Sequence, residues 1–317
     1  LWQNDDIAHT ETANSRSTVD VMVISSSART QPLWTPTPQD FPAKEPRTGS
    51  RRGLAALAAV GCAIAFLFTY GIFVFTAGGQ RAEDAILHNA QSAARLGQDS
   101  SATLLQGADV ATVILLSAGL IVIIAGMRRQ FVLGLVSLAA LGVSLLATDF
   151  LKTSVLVRPD LGNEGRAWHN SFPSGHASAA MACVLALALV VPRRGRPFVL
   201  VPGAIAVAWV SSSTITLAWH RLSDTIGGTM LVTAIFALAA AGFAWKSSDR
   251  GRGLSWGVGV LALVVPTLIS FACFVVLTEL AALDTAVALA SLSAVGVSGF
   301  ALWFLGGVDV GWPRHAA

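Results

Sequence analysis

Long apolar runs recur along this chain, and they leave it few folds to choose from. A helix that crosses a bilayer needs about 20 apolar residues. Eight stretches meet that length: residues 54–78, 107–127, 131–151, 174–192, 198–218, 225–245, 254–278 and 285–307. Charged residues make up 12% of the chain, about half the roughly 25% usual in soluble domains. The expected fold is therefore all-α, a polytopic transmembrane helical bundle. Interior breakers such as Gly61, Gly134 and Pro266 fit this reading, because neighbouring groups in a bilayer bundle satisfy the backbone they free.

The basic residues orient the bundle. Lys44, Arg47, Arg51 and Arg52 precede the first run, Arg128 and Arg129 follow the second, and Arg193, Arg194 and Arg196 follow the fourth. Lys246, Arg250 and Arg252 follow the sixth, and Arg314 follows the last. Every other connection is thus basic, which by the positive-inside rule puts both termini in the cytoplasm. A plasma-membrane location is expected. Residues 1–50 are polar, rich in Ser, Thr, Pro and charge, and show no signal-peptide pattern. They are expected to form a disordered tail, since they offer too little apolar surface to offset the entropy of ordering. A net charge of +3, without a basic stripe, argues against a nucleic-acid partner. Cys62, Cys183 and Cys273 each sit inside a separate apolar run and read as small buried hydrophobes, not as metal ligands.

Three polar clusters fall on the connections expected to face outward. The first is Lys152, with Arg158-Pro159 six positions on. Long cations near an interface often only reach for headgroups, but an ammonium and a guanidinium fork also clamp a phosphate. The second is Pro173-Ser174-Gly175-His176 at the start of the fourth run. Ser174 is a natural helix cap. The unpaired first-turn amides beyond it attract an anion, and Gly175 allows close approach. The third is His220 with Asp224 four positions on, which share a face if the segment is helical. Such a carboxylate fixes the imidazole tautomer and leaves the other nitrogen free to attack, although it can equally cap the next helix.

Taken in order, these clusters resemble the type-2 phosphatidic acid phosphatase family, within the superfamily that includes vanadium haloperoxidases. The resemblance covers residues 51–245 and divides the chain into the 1–50 tail, a six-span phosphatase core over 51–245, and a two-span C-terminal extension over 246–317. It implies that Lys152, Arg158, Ser174 and Gly175 bind phosphate. It implies that His220 is the nucleophile, that Asp224 orients it, and that His176 protonates the leaving group. It also implies a lipid phosphate or diphosphate substrate of polyprenyl or phosphatidic acid type, hydrolysed at the outer face through a phosphohistidine, with no metal and no cofactor. The family's Ser-Arg pair falls on Ser213-Thr214, so one cation is missing. Arg221, Arg166 and His169 are the outer-side candidates to replace it. Two alternatives stay open: a phosphotransferase with an acceptor other than water, and a catalytically weakened lipid-binding protein.

Overall fold

The computed structural model describes residues 50–95, 109–161, 170–243 and 256–307. The 1–50 tail, Arg166 and His169 therefore lie outside the described residues, apart from Ser50. All the described secondary structure is helical, and it belongs to one compact unit. We label the helices α1 (Ser50–Thr69), α2 (Ala77–Arg95), α3 (Val110–Met127), α4 (Phe131–Phe150), α5 (Gly175–Val190), α6 (Arg196–Thr216), α7 (Leu222–Phe243), α8 (Trp256–Leu280) and α9 (Leu283–Gly307). Helices α1 and α4 each continue into a π-helical turn, Tyr70–Val74 and Leu151–Val155. Cys62, Cys183 and Cys273 are free and buried.

Seven of the described helical segments are long and apolar enough to cross a membrane, so this is a multi-pass membrane protein. The remaining expected span, 174–192, is matched by α5, which is shorter, at 16 residues. At 1.5 Å per residue it measures about 24 Å, less than a hydrocarbon core of about 30 Å. It does not need to match the lipid, because α3, α4, α6 and α7 surround it. Most of its length is buried, as expected of a helix that is apolar all round.

Small residues and hydroxyls bring the helices together. A Cβ on Gly61 of α1 would collide with the Ala262 carbonyl of α8, so these two backbones nearly touch. Thr69 Oγ1 donates to Ser270 Oγ between the same helices at 2.8 Å. Ser137 Oγ of α4 donates to the Ala186 carbonyl of α5 at 2.7 Å. Helix α9 packs along α6 and α7, and α8 packs along α1. At one end of the bundle, arginines serve helix C-termini. Arg128 Nη1 donates to the Val190 carbonyl at the end of α5. Arg196 Nη1 donates to the Leu305 carbonyl near the end of α9. These are the last-turn carbonyls that a helix leaves unpaired.

Helix α2 has no counterpart among the expected spans. It is amphipathic: Gln80, Ala82, Glu83, Ile86 and Ala90 are buried, while Arg81, His88, Gln91 and Ser92 are exposed. It follows α1 after a two-residue break and lies at the opposite bundle end from Arg128 and Arg196.

Candidate active site

All three polar clusters meet at this α2 end. Lys152 sits on the π-helical turn that ends α4, and Arg158 lies on the extended segment beyond it. That segment is tied down at several points. The chain's single tyrosine, Tyr70, donates its hydroxyl to the Val157 carbonyl at 2.6 Å and accepts from the Val157 amide at 2.9 Å. Gln80 Nε2 donates to the Pro159 carbonyl at 2.8 Å. Asn170 Nδ2 donates to the Lys152 and Leu156 carbonyls at 3.2 and 2.8 Å, holding the frayed end of α4. Arg158 is therefore fixed through both of its chain neighbours.

Ser174 caps α5, its Oγ accepting from the Ala177 amide at 3.3 Å. This uses a lone pair of the hydroxyl, leaves its proton able to donate, and leaves the earlier first-turn amides facing outward. Lys152 Nζ comes within 3.9 Å of where a Cβ on Gly175 would stand, so the ammonium lies over that helix start. The start of α5 is also joined directly to α7: the Ser174 amide donates to the Asp224 carbonyl at 2.8 Å. A Cβ on Gly228 of α7 would stand 2.9 Å from the Ser174 carbonyl and 2.8 Å from Ser178 Oγ. Only glycine permits that approach without displacing α5.

His220 arrives on a tight turn between α6 and α7. The Thr214 carbonyl accepts from the amides of Trp219 and His220 at 3.0 and 3.1 Å, and Ala218 takes a positive φ of 54° to close the turn. Thr214, at the position where the resemblance expects arginine, anchors this turn through its backbone. Its own hydroxyl donates to the Ser211 carbonyl at 2.9 Å. His220 Nδ1 faces Asp224 Oδ2 at 3.4 Å, and that oxygen also accepts the Arg221 amide at 2.9 Å. His176 stands opposite, its ring centroid 5.7 Å from that of His220 and 5.4 Å from that of Trp219.

Helix α2 adds two carboxylates that the motifs do not name. Glu83 Oε2 pairs with Arg158 Nη2 at 3.0 Å, while Oε1 accepts the Ser223 amide at the start of α7 at 2.9 Å. Asp84 Oδ1 accepts from Arg221 Nη2 and Nε at 2.9 and 3.2 Å. Arg221 Nη1 donates to Ser171 Oγ at 3.2 Å. The side chain of Arg221 is thus spent on Asp84 and Ser171. Arg158 keeps one donor in hand, because its Nη1 is buried without a partner. Burial pushes the Glu83 carboxyl above the usual range, and the nearby Asp224 charge adds to this; Arg158, Arg221 and the Ser223 amide oppose it.

The site thus offers an ammonium, a half-free guanidinium and helix-start amides on one side, with two imidazoles across from them. Such a set binds a tetrahedral oxyanion and can move a proton at its edge. The same residues lie within a recognisable stretch of chain. Residues 131–249 form a PAP2-superfamily domain. Set against curated proteins and against solved structures, the chain gives no match. The PAP2 domain runs from α4 through α7 and carries Lys152, Arg158, Ser174, Gly175, His176, His220 and Asp224. It starts later than residue 51, where the resemblance was expected to begin. Tyr70, Gln80, Glu83 and Asp84 therefore reach the site from outside the PAP2 domain. For Gln80, Glu83 and Asp84 the only sequence signal was a polar, amphipathic stretch between the first two apolar runs, while Tyr70 falls inside the first run.

Proposed function

We propose that this protein is a metal-independent membrane phosphatase that hydrolyses a lipid phosphate or diphosphate. The supporting observation is the meeting of His176 and His220 at 5.7 Å beside Lys152 and the α5 start. In this reading Lys152, Arg158 Nη1 and the Gly175 amide hold the phosphoryl oxygens. Because His220 Nδ1 faces Asp224, Nε2 is the attacking atom. The Nε2–P bond forms as the P–O bond to the lipid breaks, and His176 gives its proton to the departing oxygen. Water then attacks phosphorus, returns a proton to His176, and releases inorganic phosphate from His220. Half of the imidazole work is thus nucleophilic and half is acid–base.

The lipid tail stays among the spanning helices while its headgroup meets the site. The substrate is a polyprenyl or phosphatidic acid type lipid phosphate. The basic connections support a site on the extracytoplasmic face of the plasma membrane, with both termini inside.

Purified protein in detergent, given a panel of lipid phosphates with a chelator present, is expected to release phosphate. A radiolabelled phosphoryl group should leave an acid-labile, alkali-stable label on the wild type and none on His220→Ala. Activity that disappears with the chelator, or a His220→Ala variant with normal turnover, overturns the mechanism.

A further inference from the structure

Carboxylates crowd the cations of the site. Among the described residues, Lys152, Arg158 and Arg221 stand with Glu83, Asp84, Asp149 and Asp224. A pocket built only to attract a phosphate dianion would carry a surplus of positive charge. Here Glu83 offsets much of the charge on Arg158, whose Nη1 is without a partner. The pair is also held rigidly from both sides. Val157 and Pro159 fix the Arg158 backbone through Tyr70 and Gln80. Glu83 is fixed through its second oxygen by the Ser223 amide. The side chains of Arg158 and Glu83 are 5% and 0% exposed, so neither has open space to swing into when an anion arrives. A phosphate must therefore share Arg158 with a carboxylate that stays in place.

We propose that Glu83 is a built-in counter-ion that lowers the site's affinity for phosphate, so that the inorganic phosphate product leaves readily. The inference rests on the phosphatase reading and names Glu83 as a residue that sets that site's anion affinity through Arg158. It is a positioning residue and does not touch the reacting atoms. Two anions of like sign sharing one guanidinium repel across a few ångströms of protein. Removing one of them strengthens the bond to the other, with an expected gain of about tenfold or more in affinity.

The test uses the full chain in detergent, with inorganic phosphate and orthovanadate as probes. Inhibition constants are measured against a hydrolysable lipid phosphate, and the rise in unfolding temperature with orthovanadate gives a second reading of affinity. Glu83→Gln and Glu83→Met are expected to bind both anions about tenfold or more tightly than the wild type. Glu83→Asp, which keeps the charge, should stay near the wild-type value. In an Arg158→Ala background the gain from Glu83→Gln should vanish, because its target is gone.

A folded Glu83→Gln protein that binds orthovanadate no better than the wild type overturns the proposal. So does a gain that survives Arg158→Ala. If neither charge-free variant folds, the proposal also falls, because Glu83 then serves the fold through Arg158 and the Ser223 amide. A wild type that neither binds orthovanadate nor releases phosphate from any lipid phosphate sinks the phosphatase reading itself. A wild type that does both, with Glu83→Gln unchanged, sinks only the counter-ion.

Discussion

Arginine is buried at both ends of this bundle, and the two ends use it differently. At one end Arg196 is 3% exposed and Arg128 is partly buried, and both donate to helix-terminal carbonyls. Those carbonyls are permanent parts of the chain, and the bonds close off α5 and α9. At the other end Arg158 and Arg221 face carboxylates from α2. A carboxylate is chemically close to a phosphate, so a guanidinium held by one is already shaped to receive the other. The first arrangement spends arginine on the fold. The second leaves Arg158 Nη1 available to a ligand, while Arg221 is committed to Asp84 and Ser171. Burial alone does not distinguish them; the acceptor does.

Exchanging the arginines breaks or sharpens that contrast, and this is the largest effect expected. Arg158→Ala removes the half-free donor from the proposed phosphate clamp. Loss of a charge-assisted bond of about 1.5–3 kcal/mol, made in the transition state, costs roughly one to two decades in kcat/KM. Glu83 is then left without its partner and can take up a proton, which limits the damage to the fold. Arg196→Ala should behave in the opposite way. It leaves the Leu305 carbonyl short of a donor and lowers stability by about 1–3 kcal/mol, while turnover of the folded fraction stays within a few-fold of wild type. Parallel measurements of kcat/KM and thermal inactivation in detergent check both. An Arg196→Ala variant that is stable and slow would erase the distinction between the ends.

How much of this was readable beforehand follows the same division. The spans show in the sequence because membrane helices advertise themselves by length and apolarity, and each expected run is matched by a helix. Helix α5 is shorter than a full crossing because protein, not lipid, surrounds it. The residues from Lys152 to Asp224 stand out because short spacing and a fixed order carry their chemistry. Glu83 and Asp84 do not stand out. Their partners lie 75 and 137 positions away, and no spacing rule joins them. A polar amphipathic segment between two spans reads as a solvated connection, and only packing reveals that its carboxylates point inward. Arg221 teaches the converse. It reads as a spare cation, yet the fold commits its side chain to Asp84 and Ser171.

A smaller effect tests whether the site end depends on exact helix approach. Gly228 lets α7 lie against the Ser174 carbonyl and Ser178. Gly228→Ala places a methyl group 2.8–2.9 Å from those atoms, so α5 has to move. Overpacking of this kind costs about 1–3 kcal/mol. The shift also separates His176 from His220, and a misplacement near 1 Å costs about a hundredfold in rate. Rate is therefore expected to fall more than stability. A variant with a lowered unfolding temperature and normal kcat would place Gly228 with the structural arginines and outside the site.

The smallest expected effect is a pH dependence carried by Glu83. Its carboxyl is raised by burial and by Asp224, against the pull of Arg158, Arg221 and the Ser223 amide. The sign follows directly: a raised carboxyl takes up its proton earlier as the pH falls, at values above the ordinary glutamate range. Protonated Glu83 no longer repels a phosphate and resembles the glutamine variant. The affinity gap for orthovanadate between wild type and Glu83→Gln should therefore be widest near neutral pH and close as the pH drops toward the ordinary carboxylate range. Taking the difference between the two proteins cancels the titration of the probe and of the histidines, which both share. A gap that stays constant over that window means Glu83 keeps its charge throughout, and that the Arg158 pair outweighs the cost of burying it.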